Sequence, residues 1–120
     1  MSQTISKMSK LNLTLKLLIL FYALQSASYA NFRKGVEFFD MARYRDSMKA
    51  FKASIKSKEQ IGNSYAYLGR IYLRSREYPK AYKAFVRAVK SNSDSDRLLD
   101  DLGKCLDKLR GIMELPEFIK

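Results

Sequence analysis

Residues 65–88 read YAYLGRIYLRSREYPKAYKAFVRA, and this stretch decides the fold of the chain. Its apolar and small residues recur at spacings of three and four, which is the period of an α-helix. They form two runs, one from Tyr65 to Tyr72 and the other from Tyr78 to Ala88. Pro79 opens the second run, and the first turn of a helix accepts a residue without an N–H group. The stretch therefore predicts two consecutive helices.

Three glycines show that this pair of helices belongs to an internal repeat. The interval from Gly35 to Gly69 equals the interval from Gly69 to Gly103. Because Gly makes up about 7% of an average sequence, two such coincidences have a chance of roughly one in 200. Other residues recur at the same interval: Tyr44 and Tyr78, Ser47 and Ala81, Phe51 and Phe85, Ser54 and Ala88, Leu68 and Leu102.

The middle unit resembles the tetratricopeptide repeat (TPR) family, whose signature W-x2-L-G-x2-Y…A-x3-F…P recurs about every 34 residues, the interval between the glycines. The matching residues are Tyr65-x2-Leu68-Gly69-x2-Tyr72 and Ala81-x3-Phe85-x2-Ala88, with Tyr65 in place of Trp and Ser93 in place of the closing Pro. The resemblance implies an all-α fold, a short TPR-type helical solenoid of two helix hairpins plus a C-terminal capping helix. It also implies that Gly69 lies where two helices approach closely and that Phe85 supplies bulk where they diverge.

The third unit contains only a first helix, which would serve as the cap that helical repeats need. We expect Ser93–Asp96 to provide its N-cap and Gly111 to end it just after Arg110. Its outer face is expected to be polar, through Asp100, Asp101, Lys104, Asp107 and Lys108. Cys105 shares one stripe of this helix with Leu102, Leu106 and Leu109, which predicts a buried and unreactive thiol.

Residues 1–30 have the composition of a targeting segment. They contain three lysines and no acidic residue, then the apolar run Leu17–Leu24, and then the small and polar residues Gln25–Ala30. This order is typical of a secretory signal peptide, and cleavage after Ala30 would make Asn31 the first residue. An uncleaved membrane anchor and a mitochondrial presequence remain alternatives. The predicted organisation is a leader at 1–30, a repeat domain at 31–110 and an apolar tail at 111–120, which either folds back over the last helix or docks on a partner.

The composition favours a binding protein over an enzyme. The chain has 23 Lys and Arg against 12 Asp and Glu, a formal charge of +11, no His and one Cys. We predict no catalytic residue, cofactor, metal or small-molecule substrate, because the usual acid–base and metal-binding side chain is missing. Nucleic acid is disfavoured as a partner, since the basic residues are spread over all faces and show no base-reading motif. Four acidic residues without convergent spacing are assigned to the solvated surface: Glu37, Asp40, Asp46 and Glu59.

The resemblance also implies where a partner binds, because TPR proteins turn their first helices towards a groove. Among the residues at such positions, seven are the candidate partner-binding residues: Phe39, Asn63, Tyr67, Arg70, Arg74, Arg97 and Lys104. The predicted groove combines aromatic surface with a basic strip, and arginines bind carboxylates through paired hydrogen bonds. We therefore expect an exported (periplasmic or secreted) adaptor or assembly factor that binds another protein, with an acidic segment as one option. The alternative is a membrane-anchored structural subunit of a larger complex, held by an uncleaved N-terminal helix.

Overall fold

The computed structural model describes residues 10–113, and within residues 25–28 it describes the backbone alone. This part of the chain forms helices and contains no strand, so the fold is all-α, as predicted. The helices are α1 (Leu13–Ser28), α2 (Ala30–Asp40), α3 (Tyr44–Lys56), α4 (Ile61–Arg74), α5 (Tyr78–Lys90) and α6 (Leu98–Met113).

The first helix stands apart from the others. Its large apolar side chains between Leu17 and Leu24 are 39% to 74% exposed. It makes far fewer contacts with α2 than any two consecutive later helices make with each other. None of the helices described here combines the length and the apolar character needed to cross a membrane. An apolar helix without a packing surface gives little stability to the rest of the chain.

Consecutive helices from α2 onwards pack as antiparallel pairs. Gly35 near the middle of α2 faces Phe51 of α3, while Phe39 at the end of α2 packs on Tyr44 at the start of α3. The pair formed by α4 and α5 has the same arrangement. In addition, α3 packs on α4 and α5 packs on α6, so each helix from α3 to α5 lies between its two chain neighbours.

The repeat seen in the sequence is also a property of the backbone. At the turn after α2, the Arg43 amide donates to the Phe38 carbonyl at 2.8 Å. At the turn after α4, the Glu77 amide donates to the Tyr72 carbonyl at 2.9 Å. Four residues at the turns take left-handed backbone conformations in two pairs, each pair one repeat apart: Ala42 and Arg76, Lys58 and Asn92. The turn inside each hairpin therefore has the same backbone structure in both units. The turns that follow the hairpins differ, because residues 57–60 connect α3 to α4 and include a further left-handed residue, Gln60, whereas residues 91–97 connect α5 to α6.

Two of the repeated glycines make room for an aromatic ring. A Cβ atom on Gly69 would lie 2.4 Å from Cε1 of Phe85, and one on Gly35 would lie 2.6 Å from Cε1 of Phe51. Both rings are fully buried. The expectation that Phe85 fills space where the helices diverge is corrected, because its ring lies directly against Gly69. Gly103 has open space around it, since no described helix packs on that side of α6.

Both predicted ends of the last helix are wrong. Arg97, not a residue of Ser93–Asp96, immediately precedes α6, and its carbonyl accepts from the Asp101 amide at 2.9 Å. The Ser93 hydroxyl is already engaged, because it donates to Oδ1 of Asn63 at 2.7 Å. At the other end Gly111 continues the helix to Met113 without a left-handed conformation. A helical Gly costs only about 1 kcal/mol relative to Ala, which one residue near a helix end can accept.

The single cysteine is buried, as predicted. Cys105 is fully inaccessible, and its Sγ donates to the Tyr78 carbonyl at 3.3 Å across the interface between α5 and α6. Burial raises the pKa of the thiol, so the reactive thiolate is disfavoured. Cys105 belongs to a core cluster that also contains Ala66, Ala81, Phe85, Ala88 and Leu98.

Candidate protein-binding site

Four of the seven predicted partner-binding residues meet in one pocket, which we call the first-helix pocket. It has a volume of about 350 Å³ and lies between α2, α4 and the segment before α6. Its lining is Phe32, Asn63, Ala66, Tyr67, Arg70, Asp94, Ser95, Asp96 and Arg97. The predicted residues among them are Asn63, Tyr67, Arg70 and Arg97, contributed by α4 and by the residue that leads into α6.

Tyr67 forms a fixed aromatic wall of this pocket. Its ring stacks on Phe51 with the centroids 4.7 Å apart and an angle of 13° between the planes. The edges of Phe32 and Phe39 contact it at centroid distances of 6.0 and 5.1 Å. Phe39 thus supports Tyr67 without lining the pocket itself. Packed aromatic rings lose little conformational freedom on binding, so this wall is suited to hold an apolar side chain.

Arg70 is bound within the protein rather than open to a partner. Its Nε donates to Oδ2 of Asp101 at 2.8 Å, and its Nη2 donates to Oγ of Ser95 at 3.2 Å. The two charged side chains are only 18% and 14% exposed. The guanidinium also lies 5.2 Å from the centre of the Tyr67 ring. Arg70 therefore links α4 to α6 and closes one side of the pocket.

Asn63 is likewise held by its neighbours. Its Nδ2 donates to Oε1 of Gln60 at 2.9 Å, while its Oδ1 accepts from the Ser93 hydroxyl. The same hydroxyl accepts from the Ser95 amide at 3.2 Å. This chain of hydrogen bonds fixes the segment before α6 against the start of α4. It thereby places the exposed side chain of Arg97 at the mouth of the pocket.

The predicted basic strip does not form as one surface. Arg74 lies over the Tyr44 ring at 5.1 Å, and Lys104 pairs with Asp100 at 3.2 Å on α6. Neither residue lines the pocket. Asp94 and Asp96 do line it, so its two arginines are matched by two aspartates. The pocket is therefore polar and close to charge-balanced, with Arg97 as the basic residue that is exposed to a partner.

A second cleft, the cationic groove, was not predicted from the sequence. It lies across α3, α4 and α5 and has a volume of about 420 Å³. Its charged lining residues are all basic: Lys52, Lys80, Lys83 and Arg87. Its other lining residues are apolar or aromatic: Ile55, Tyr65, Leu68, Tyr72 and Ala84. The spacing of Lys80, Lys83 and Arg87 on α5 places them on one helix face, and this signal would have predicted the basic stripe. The basic residues are thus not evenly spread over all faces.

The prediction that Glu59 lies on the solvated surface is wrong. Its side chain is 3% exposed, although it follows the exposed Lys58 in the turn between α3 and α4. Its Oε1 accepts from the Asn31 amide at 3.1 Å, and its Oε2 accepts from Nδ2 of Asn31 at 2.9 Å. Sequence spacing gave no signal of this, because the two residues are far apart in the chain and meet only through the packing of α2 on the α3–α4 turn.

The described residues contain no group of three or more Cys, Asp or Glu side chains arranged to hold a metal ion. No family model, curated protein or solved structure matches the chain.

Proposed function

We propose that this chain is an exported, TPR-like adaptor or assembly factor that binds a segment of another protein in the first-helix pocket and catalyses no reaction. The observation that carries the proposal is the convergence of Phe32, Asn63, Tyr67 and Arg97 on one pocket. These residues come from the first helix of one unit, the first helix of the next, and the segment that leads into the third. Such a convergence is what the groove of a helical repeat requires.

The proposed architecture is a short solenoid in which α2–α3 and α4–α5 are the two hairpins and α6 is the cap. The turns that recur from one unit to the next support the stacking of equivalent units. The open space at Gly103 supports the role of α6 as an end, because in the first two units a second-helix Phe covers the equivalent glycine. Asp100, Lys104, Asp107 and Lys108 are exposed and give α6 a polar outer face.

The pocket fits a segment that offers an apolar or aromatic side chain next to a carboxylate. The apolar or aromatic side chain would pack on Phe32 and Tyr67, and the carboxylate would bind the exposed Arg97 guanidinium. Asp94 and Asp96 beside Arg97 limit the acidity that the pocket accepts, since like charges side by side disfavour binding. The partner segment is therefore expected to carry few acidic residues at this position.

We expect Arg97→Glu to weaken co-purification of the partner by about tenfold or more, because a central interface residue commonly contributes about 2 kcal/mol or more. The measurement compares the amount of partner recovered from cells that naturally produce the protein, with helix content followed by circular dichroism. Arg45→Glu is the matched control, since Arg45 is exposed on α3 and lines neither cleft. Equal losses from both variants would show that net charge, and not the pocket, attracts the partner.

The cationic groove supports a second candidate, the binding of a strongly acidic protein segment on the other cleft. Lys52, Lys83 and Arg87 pair with no acidic residue in the described part of the chain. The double variant Lys52→Glu and Lys83→Glu, tested in the same co-purification, separates the two sites. The pocket proposal predicts recovery close to that of the unchanged protein. A loss confined to this double variant would assign the partner to the groove.

Export is proposed from the leader pattern of residues 1–30 and from the exposed, weakly packed α1. It predicts that the protein recovered from the periplasm or the medium begins at Asn31, and intact-mass measurement tests this. A full-length chain in the membrane fraction would favour the alternative, a membrane-anchored subunit of a larger complex.

A further inference from the structure

Glu59 is an unusual buried group, because it carries a carboxylate at 3% exposure without a cationic partner among residues 10–113. Both of its oxygens are used by one residue, Asn31, through the backbone amide and the side-chain amide. A buried carboxylate is costly unless a positive charge or several hydrogen bonds compensate for its lost hydration. Among the described residues, the donors to this carboxylate are neutral.

The turn that carries Glu59 is held rigidly in place. The Glu59 amide donates to the Ser54 carbonyl at 2.8 Å. The Glu59 carbonyl accepts from the Ser54 hydroxyl at 2.7 Å and from the Ser64 hydroxyl at 3.4 Å, and both serines are fully buried. The carboxylate is therefore fixed at the N-terminus of α2 by groups that belong to α3 and α4.

We propose that cleavage after Ala30 converts the Asn31 nitrogen into an α-ammonium group, and that the Glu59 carboxylate binds this group as an ion pair. The inference rests on the export proposed above. In the cleavage, a peptidase adds water across the Ala30–Asn31 bond: the hydroxyl joins the Ala30 carbonyl carbon, and the Asn31 nitrogen leaves as an amine. That amine takes a proton from solvent, because an α-amino group has a pKa of about 7.7–8.0.

The existing geometry already places the two groups of this pair in contact. The nitrogen that becomes charged already lies 3.1 Å from Oε1 of Glu59. The carboxylate is already a charged acceptor, and a positive charge on the donor adds Coulomb attraction to this hydrogen bond. The position also needs a carboxylate, since a positive charge at the N-terminus of a helix is repelled by the helix dipole. Glu59 would therefore recognise the mature N-terminus and fasten α2 to the α3–α4 turn.

The experiment uses the exported protein and a variant with one serine inserted between Ala30 and Asn31. Cleavage after Ala30 then leaves the serine as the first residue, so that the charge moves away while the Asn31 amide remains a donor. We expect the insertion to lower the Tm by about 4–8 °C, which corresponds to roughly 1 kcal/mol in a domain of this size. In a Glu59→Gln background, the same insertion should change the Tm little. Glu37→Gln, at an exposed position on α2, is the matched control background and should leave the effect of the insertion intact.

The outcomes separate the two proposals. Mature protein that begins at Asn31, together with a Tm effect that depends on Glu59, supports both. Mature protein that begins at Asn31 with equal Tm effects in all backgrounds overturns the ion pair and leaves export standing. A chain that keeps its leader, or begins elsewhere, overturns both. A second measurement needs no change at Glu59. An amine reagent near pH 7 should label the N-terminal amine several-fold more slowly when the first residue is Asn31 than when it is the inserted serine. Equal labelling rates would contradict the ion pair.

Discussion

Gly69→Leu is expected to unfold the protein or to lower its Tm by many degrees. Even the first added carbon would lie 2.4 Å from the ring of Phe85, which is fully buried. Overpacking of a core typically costs about 1–3 kcal/mol, and each kcal/mol lowers the Tm of a small domain by about 4–8 °C. Thermal unfolding followed by circular dichroism measures the effect.

Gly103 provides a matched control, because it occupies the same repeat position and has nothing within 4 Å of its Cβ direction. Gly69→Ala should destabilise the protein, whereas Gly103→Ala should stabilise it by about 0.5–1 kcal/mol through the better helix propensity of Ala. Stability changes of opposite sign at these equivalent positions would be difficult to explain without the ring over Gly69. Stability changes of the same sign would mean that the assigned helix packing is wrong.

Asp101→Ala is expected to have the second largest effect on stability. It leaves the Arg70 guanidinium without its carboxylate at a site where both side chains are at least four-fifths buried. Loss of one partner from a buried pair costs about 3–5 kcal/mol, and the remaining exposure reduces this to about 2–3 kcal/mol here. The loss should concern mainly the docking of α6 on α4, and urea unfolding together with hydrogen exchange in α6 would measure it.

A charge swap provides the control for this pair. The double variant Arg70→Asp and Asp101→Arg should recover part of the stability that each single variant loses, because it restores opposite charges at the same place. Asp100→Ala removes the carboxylate of the neighbouring exposed pair with Lys104 and should have little effect. If the charge-swapped double variant recovers no stability, or if Asp100→Ala and Asp101→Ala lose equal stability, the role of Arg70 in linking α4 to α6 is contradicted. This role also makes Arg70 unsuitable for testing partner binding, since its loss disturbs the fold.

The sequence was informative where local spacing determines structure. Helix period, Pro79 and the glycine repeat predicted all-α structure, the first turn of α5 and the burial of Cys105, and the structure has these features. The TPR resemblance also identified Gly69 as a point of close approach, although it did not show that the Phe85 ring lies against this glycine. The TPR assignment and the adaptor function remain predictions.

The errors at Arg70 and Glu59 have one physical cause, which is that pairing across helices cannot be derived from spacing along one helix. Arg70 was assigned to a basic strip because its helix position faces the groove, but Asp101 from α6 reaches the same place. Glu59 was assigned to the surface because it is charged and lies in a turn, but the packing of α2 covers it. The basic stripe on α5 could have been predicted from spacing, but the cationic groove could not, because it also needs residues of α3 and α4 that come together only through helix packing.

The most direct test of the central claim is site-specific photo-cross-linking in the cells that produce the protein. A photoreactive amino acid is placed at Arg97, at the mouth of the first-helix pocket, and in a second experiment at Arg45 on the exposed face of α3. The account predicts one dominant protein adduct from position 97, identified by mass spectrometry, and none from position 45. Adducts of equal yield from both positions, or none from position 97 while the partner still co-purifies, would contradict it.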